Sequence, residues 1–326
     1  MIKLIVILNF FLFNSVFADN SSKPEKISWD QWKKGFINEI RVKNKFNKNT
    51  LDQLNNLWFN PKVVRLDRNQ PEFKLSFQEY LNKVTPSIVV RKGIEKKKTH
   101  KKVLNKISTK FAVDKNIIVA LWGIESFYGK YLGNFDILNS LASLIYDGRR
   151  RLFFTKQFEF ALEIIEQGHI SRSDFTGSWA GAFGHTQFMP STFVNFSVDF
   201  NDDGKKNLIS DNHDALASGA NYLSKMGWKN EFSWGEEFLL DGLKINEFSG
   251  EINENFQLIS YWKSKGFKPK KHYNEQTKLR LISVKNEDKK KFFLVTKNFD
   301  IILKWNKSNF FALAVGLLAD KFKKNE

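Results

Sequence analysis

The sequence predicts a mainly α-helical protein with a small β-hairpin element. Apolar residues recur at i, i+3 and i+4 in successive segments from residue 27 onward. Six prolines and eighteen glycines in 326 residues are too few for a fibrous or disordered chain. A two-residue alternation is clear in one place, TKLRLISV and KFFLVT, where the charged turn KNEDKK separates the two strands of a hairpin. No internal repeat and no linker interrupts the pattern, so one compact body is expected.

Residues 1–18, MIKLIVILNFFLFNSVFA, carry one charge, an apolar run and the small-residue site Val16-Phe17-Ala18. That is the pattern of a cleaved secretory signal. The run is broken by Asn9 and Asn14 and is shorter than the roughly 20 residues a membrane span needs. No later stretch is long enough to span, so no stable membrane insertion is expected. The chain has no cysteine, which removes disulfides, thiolate metal sites and a lipid-modified N-terminal cysteine. Net charge is +17. A positive field favours an anionic partner, and no nucleic-acid-binding motif accompanies it.

The mature chain opens with a helix-rich stretch, 27–57, in which Trp29, Trp32, Phe36, Ile40 and Val42 suggest an apolar stripe. Residues 75–112 read as helical and carry the basic segment RKGIEKKKTHKK, a solvated face. Asp114 is an N-cap for a helix from Lys115, apolar nearly all round and expected to stop near Gly129 or Gly133. DILNSLASLIYD and FFTKQFEFALEIIEQG follow as helices, with Asp136 and Asp147 at boundaries. GSWAGAFGHTQFMPSTF reads as loop turning into helix. DALASGANYLSKMGW is a helix that Asp214 would cap, and NFFALAVGLLADKF closes the chain.

Three features could carry chemistry. Glu125 ends the apolar run VALWGIESFYG. A carboxyl desolvated by Trp122, Ile124, Phe127 and Tyr128 would have the raised pKa a general acid needs. The local residues equally allow a surface cap or a lysine bridge. Residues 177–191 hold three glycines and the polar groups of Ser178, Gln187 and Ser191, a weak ligand-binding signal. Asp199, Asn201 and Asp203, followed by Gly204, match the first half of an EF-hand-type loop. Its twelfth position is Ser210, and Asp214 could close the site instead. An Asx-rich turn ahead of an N-cap at Asp214 is the other reading. His169, His185 and His213 lack metal-ligand spacing, so zinc is not expected.

In this order, WDQWKKGFINEI, LDRNQPEF, ALWGIESFYG, RRRLFF, GSWAGAFGHTQFMPS, VDFNDDGKKNLI, DALASGANYLSKMGW and LKWNKSNFFALAV resemble the lytic murein transglycosylase B family of bacterial cell-wall enzymes. The resemblance covers nearly the whole of residues 19–326. It implies a lysozyme-like helical catalytic core, about 105–235, with an additional helical lobe. It implies cleavage of the β-1,4 bond from N-acetylmuramic acid to N-acetylglucosamine in the periplasm, leaving a 1,6-anhydromuramyl end. It places the catalytic acid on Glu125 and polar substrate groups on Ser178, Gln187, Asn221 and Asn306. Tyr222 becomes a sugar platform, and Arg150 and Arg151 the paired arginines near the peptide stem. The cation loop falls on Asp199, Asn201, Asp203, the Lys205 carbonyl and Asp214, for Ca2+ or Na+ in a structural role. Where many relatives carry tyrosines around the late asparagine, this chain has Trp305 and Phe311, either of which can stack on a sugar.

The strong segments offer one carboxylate, and glycosidases ordinarily need two unless the substrate supplies the nucleophile. The expected reaction is therefore substrate-assisted, with Glu125 as sole acid and base and no cofactor in catalysis. The expected partner is the peptidoglycan glycan strand, met by a monomer without nucleic acid. A hydrolase on the same bond and a non-catalytic wall-binding protein remain as alternatives.

Overall fold

The computed structural model describes residues 27–43, 45–69, 75–239, 252, 255–287 and 289–324. The expected signal segment 1–18 lies outside them. The described chain divides into two units. The first takes residues 75–128 and 220–324, the second residues 27–69 and 129–219. The divisions at 128/129 and 219/220 coincide with no Pro- or Ser-rich linker, which is why the sequence reads as one continuous body.

The second unit begins with α1 (Trp29–Val42), α2 (Lys48–Asp52) and α3 (Pro61–Arg68). The first unit then takes α4 (Phe77–Val84), α5 (Ser87–Thr99), α6 (Lys101–Phe111) and α7 (Lys115–Ser126). The second resumes with β1 (Phe135–Asp136), α8 (Ile137–Asp147), α9 (Arg151–Glu166), β2 (Thr176–Gly177) and α10 (Pro190–Phe196). Next comes α11 (Asn212–Lys225). The first unit closes with β3 (Gly235–Glu237), β4 (Gln257–Leu258), α12 (Ile259–Ser264), β5 (Lys278–Asn286), β6 (Lys289–Val295), α13 (Lys297–Trp305) and α14 (Asn309–Lys323).

In the first unit, α7 is the central element. Every residue from Asn116 to Gly123 is buried, and α14, α5 and α6 pack around it. Asp114 caps it as the sequence predicts, its carboxylate accepting from the Asn116 backbone N–H at 2.8 Å. The helix does not run to Gly129 or Gly133. It ends at Ser126, where Phe127 and Tyr128 adopt left-handed backbone at φ 50° and 60°. The Phe127 and Tyr128 N–H groups return to the carbonyls of Gly123 and Trp122. A non-glycine residue in that region is disfavoured, and the Tyr128 anchor offsets it: the buried ring donates its hydroxyl to the Val89 carbonyl at 2.7 Å. The stretch 75–112 resolves into three helices, broken at Thr85-Pro86 and at His100. Its basic segment is only partly a solvated face. Lys92, Lys96 and Lys97 lie over the rings of Phe127, Trp122 and Phe322.

The hairpin of β5 and β6 forms as expected, in antiparallel register from Arg280 opposite Val295 to Asn286 opposite Lys289. It is the centre of a four-stranded sheet of order β3-β6-β5-β4. The two outer strands span three and two residues, too short to show an alternation. Leu279, Leu281, Phe292 and Leu294 fill a local core with Trp262 and Phe238.

In the second unit, a capping box at Ser28 and Gln31 starts α1. Trp32, Phe36 and Ile40, at i+4 spacing, are buried, whereas Val42 is 75 % exposed. The predicted stripe therefore ends at Ile40, because Val42 faces away from the i+4 row. Asp136 caps α8 through the Asn139 N–H. For α11 the expected cap is corrected: the Asp211 carboxylate accepts from the His213 and Asp214 N–H groups, while Asp214 sits inside the first turn. Gly184, at φ 74°, passes so close to 208 that a Cβ would fall 2.4 Å from the Leu208 carbonyl oxygen.

The close approach of α5 to α7 and α14 gives a stability prediction. A Cβ at Gly93 would meet the Phe322 ring at 2.3 Å and the Tyr128 hydroxyl at 2.5 Å. Gly93→Ala should destabilise by about 1–3 kcal/mol through overpacking, outweighing its helix-propensity gain. Denaturant unfolding of the two proteins checks it, and an unchanged midpoint would count against this packing.

Candidate active site

Glu125 lies in the last turn of α7 with only 8 % of its surface exposed. Trp305, the last residue of α13, donates its indole Nε1–H to Glu125 Oε1 at 2.8 Å. Burial pushes the Glu125 carboxyl up from 4.5 to about 8, and the Trp305 hydrogen bond opposes that rise. At neutral pH the group is mainly protonated, the state a general acid requires. Tyr80 on α4 is also shifted upward, by its own burial first and then by the Glu125 charge.

Around this carboxyl the first unit gathers further groups. Tyr222 on α11 is half-buried and meets the Trp305 ring edge-to-face, centroids 5.2 Å apart at 80°. Its hydroxyl donates to the Lys304 carbonyl at 2.7 Å, and burial raises its pKa to about 12. Asn306 follows α13 in extended backbone, and its Oδ1 is buried without a hydrogen-bond partner. A buried unsatisfied amide oxygen is uncommon and suits a polar ligand. Asn221 is half-buried beside Tyr222 in the chain. Phe311, expected as a sugar-stacking ring, is 2 % exposed in α14. It is a core residue, since its position lies on the apolar side of that helix.

The remaining candidates belong to the second unit. Ser178 is half-buried and accepts from the Ala182 N–H at 3.0 Å. Gln187 is buried at φ 49° and donates its side-chain amide to the Gly184 and Leu132 carbonyls. Arg150 places its guanidinium on the carboxylate of Asp67, a fully buried acid, and over the Phe154 ring. Arg149 reaches the same residue. Arg151 is exposed, 3.9 Å from Glu39. The two other carboxylates near in sequence to Glu125 are engaged: Asp136 pairs with Arg172 and Asp147 with Arg68.

In the acidic loop, Asp199 accepts from the Asp203 and Gly204 N–H groups and Asp203 from that of Lys205. The Asn201 amide donates to Asp203 and Asp211. Asp214 is fully buried, and its two oxygens accept from the Phe200 and Asn207 N–H groups. Burial raises its pKa, against those two bonds. The donor set is all oxygen, the chemistry of a hard cation. Among the described residues no three His, Cys, Asp or Glu side chains form a metal-holding group.

Sequence reasoning missed the indole donor to Glu125, 180 residues away in the chain, and the Asp67 anchor of the arginines. No spacing rule links either pair. The resemblance points to this region through Asn306 and names Trp305 as a sugar-stacking ring, but not as a partner of Glu125.

This frame is shared with known proteins. The family model for the transglycosylase SLT domain matches residues 28–320, and the chain belongs to that family. It is 28% identical over 236 residues to the membrane-bound lytic murein transglycosylase B of Escherichia coli, covering 71% of this chain and 63% of that protein's length. A crystal structure of SltB3 from Pseudomonas aeruginosa in complex with NAG-NAM-pentapeptide is similar at a TM-score of 0.84 and 36% identity. It covers 91% of this chain and 80% of the other. The Escherichia coli lytic transglycosylase Slt35 in complex with calcium is similar at a TM-score of 0.75 and 26% identity, over 90% of this chain and 93% of the other. No helix among the described residues is long and apolar enough to cross a membrane.

The raised pKa of Glu125 gives a stability test. The folded-state value lies above the unfolded 4.5, so the folded protein prefers the neutral acid. The burial penalty is absent below about pH 4.5 and grows as pH rises toward 8. Glu125→Gln, which cannot ionise, should therefore gain stability over wild type across that window. The ceiling is on the order of 5 kcal/mol near pH 8. Denaturant unfolding of both proteins at several pH values checks this; a stability difference that does not grow with pH contradicts it.

Proposed function

We propose that the protein is a lytic transglycosylase of the bacterial cell wall. It would cleave the bond from N-acetylmuramic acid to N-acetylglucosamine in peptidoglycan and leave a 1,6-anhydromuramyl end. The observation that carries this reading is Glu125: a buried carboxyl, protonated at neutral pH, on the central helix of a transglycosylase SLT domain. Support comes from SltB3, which is 35% identical to this chain in its complex with NAG-anhNAM-pentapeptide, a glycan carrying the anhydro sugar.

Glu125 gives its proton to the glycosidic oxygen, and the bond to the anomeric carbon breaks. The acetamido oxygen of the muramic acid attacks that carbon, taking the place of a second carboxylate. The C6 hydroxyl then displaces the acetamido group and forms the anhydro ring, and its proton returns to the Glu125 carboxylate. Glu125 ends as it began and no water is consumed. The engagement of Asp136 and Asp147 with arginines favours this single-carboxylate route over one that uses a second carboxylate. Asn306, with its unpartnered oxygen, and Tyr222 bind the sugars from the first unit. Ser178, Gln187 and Asn221 contribute polar contacts. The family resemblance assigns Arg150 and Arg151 to the peptide stem, and Arg151 is the more exposed of the two. The reaction takes place in the periplasm, on a monomer released from its N-terminal signal.

The loop of Asp199, Asn201, Asp203, the Lys205 carbonyl and Asp214 holds Ca2+ or Na+ in a structural role. The all-oxygen donor set supports this, as does the calcium complex of Slt35. A cation bound to the native state at a hundredfold excess over its Kd stabilises by about 2.7 kcal/mol. The melting temperature should rise with calcium, and Asp203→Ala should abolish that rise. A melting temperature indifferent to calcium and to EDTA leaves the loop as an Asx-rich turn.

Glu125→Gln should fold and lose activity on purified sacculi by about 10²–10⁴-fold or more. Zymography and soluble-product release measure it, and a variant keeping more than about a tenth of the rate removes Glu125 from this role. Tyr222→Ala, which removes an apolar sugar contact, and Asn306→Ala, which removes a hydrogen bond of about 0.5–1.5 kcal/mol, should weaken glycan binding with the fold intact. Sacculus binding unchanged in both would place the glycan elsewhere.

A further inference from the structure

Trp305 is engaged with the reacting carboxyl in a way that no spacing in the sequence suggests. Its indole nitrogen is a donor and never an acceptor. A neutral carboxyl has one oxygen that bears the proton and one that accepts. The indole N–H, 2.8 Å from Oε1, favours there the carbonyl oxygen, the stronger acceptor of the two. We propose that Trp305 is a positioning residue that assigns the acid proton of Glu125 to Oε2 and stabilises the carboxylate once that proton has left. The inference rests on the reading of Glu125 as the catalytic acid.

The ring is held in place through Tyr222. Tyr222 meets it edge-to-face, and the Tyr222 hydroxyl is bound to the carbonyl of Lys304, the residue before it. The carboxyl is therefore kept from exchanging its two oxygens by rotation without breaking the indole bond. An N–H bond to a carboxylate is about twice as strong as one to a neutral carboxyl. The bond therefore tightens when Glu125 loses its proton, which makes the acid readier to give it up and suits the same group to act as base afterwards.

Other titratable groups near α7 are arranged differently. Tyr80 on α4 feels the Glu125 charge but remains neutral. Tyr128, just beyond the helix, is bound to Val89. On α5, Lys92 and Lys96 lie over Phe127 and Trp122. His100 meets the Trp122 ring edge-on. On α14, Lys323 pairs with Asp114 at the opposite end of α7. Tyr222 on α11 is bound to Lys304. The indole is the one group of α13 on the carboxyl among the described residues.

The test uses the full-length protein with Trp305→Phe, and with Trp305 replaced by benzothienylalanine, which keeps the ring size and removes only the N–H. The Glu125 carboxyl is titrated without substrate by carbon-13 NMR of glutamate-labelled protein, its signal assigned by its loss in Glu125→Gln. The pH profile of kcat is measured on sacculi. Both variants should raise the Glu125 pKa by about one pH unit or more, and the alkaline limb of kcat should move up with it. On the acidic plateau kcat should fall about tenfold, with KM nearly unchanged. A titration and limb that stay in place in both variants, or that move down, overturn the proposal and leave Trp305 as packing. The titration is independent of turnover. If Glu125→Gln remained active, the catalytic reading would fail, while the titration would still decide whether the indole holds the carboxylate.

Discussion

A carboxyl group buried at the end of a hydrophobic helix is the constraint around which the first unit is organised. Desolvation favours the protonated form of Glu125 near neutral pH, and the Trp305 N–H opposes that rise. The two effects have opposite signs. Burial alone makes a reluctant acid, and full hydration makes a carboxylate with no proton to give. A group that must serve first as acid and then as base works best with its pKa near the operating pH.

The packing follows from this need. Holding a carboxyl out of water demands an apolar envelope, and α7 is buried all round to supply one. Its abrupt end at Ser126, with two non-glycine residues in left-handed backbone, stops the chain directly after the carboxyl. Tyr128, anchored to Val89 and set over Gly93 and Gly123, stabilises this termination. The glycines on α5 and α7 are thus required by the tyrosine ring that turns the chain. In the second unit a different device recurs: Asp67, Asp136 and Asp147 each meet arginines. These pairs engage the two acids nearest to Glu125 in the downstream sequence, Asp136 and Asp147.

Much of this was legible in the sequence because helices and caps are local. The starts of α7 and α8 follow from Asp114 and Asp136, and the hairpin follows from its alternation. Glu125 stood out because a charged residue closes an apolar run. The end of α7 was misplaced because a glycine rule cannot anticipate a tyrosine held left-handed by a distant carbonyl. The α11 cap was assigned to Asp214 instead of Asp211 because both are acidic and three residues apart; only the loop's backbone bonds decide between them. Phe311 looked like a binding ring because aromatic type says nothing about facing. The Trp305–Glu125 bond and the Asp67 anchor join residues far apart in the chain, and one sequence contains no signal for such pairs.

The claim that Glu125 works alone, with the substrate's own hydroxyl in place of water, is tested most directly by digesting purified sacculi in heavy-oxygen water and weighing the released muropeptides. The account predicts products one water lighter than hydrolysed fragments, with no heavy oxygen incorporated. Fragments of hydrolysed mass carrying heavy oxygen at the new muramic acid end would show that water is the nucleophile and contradict it.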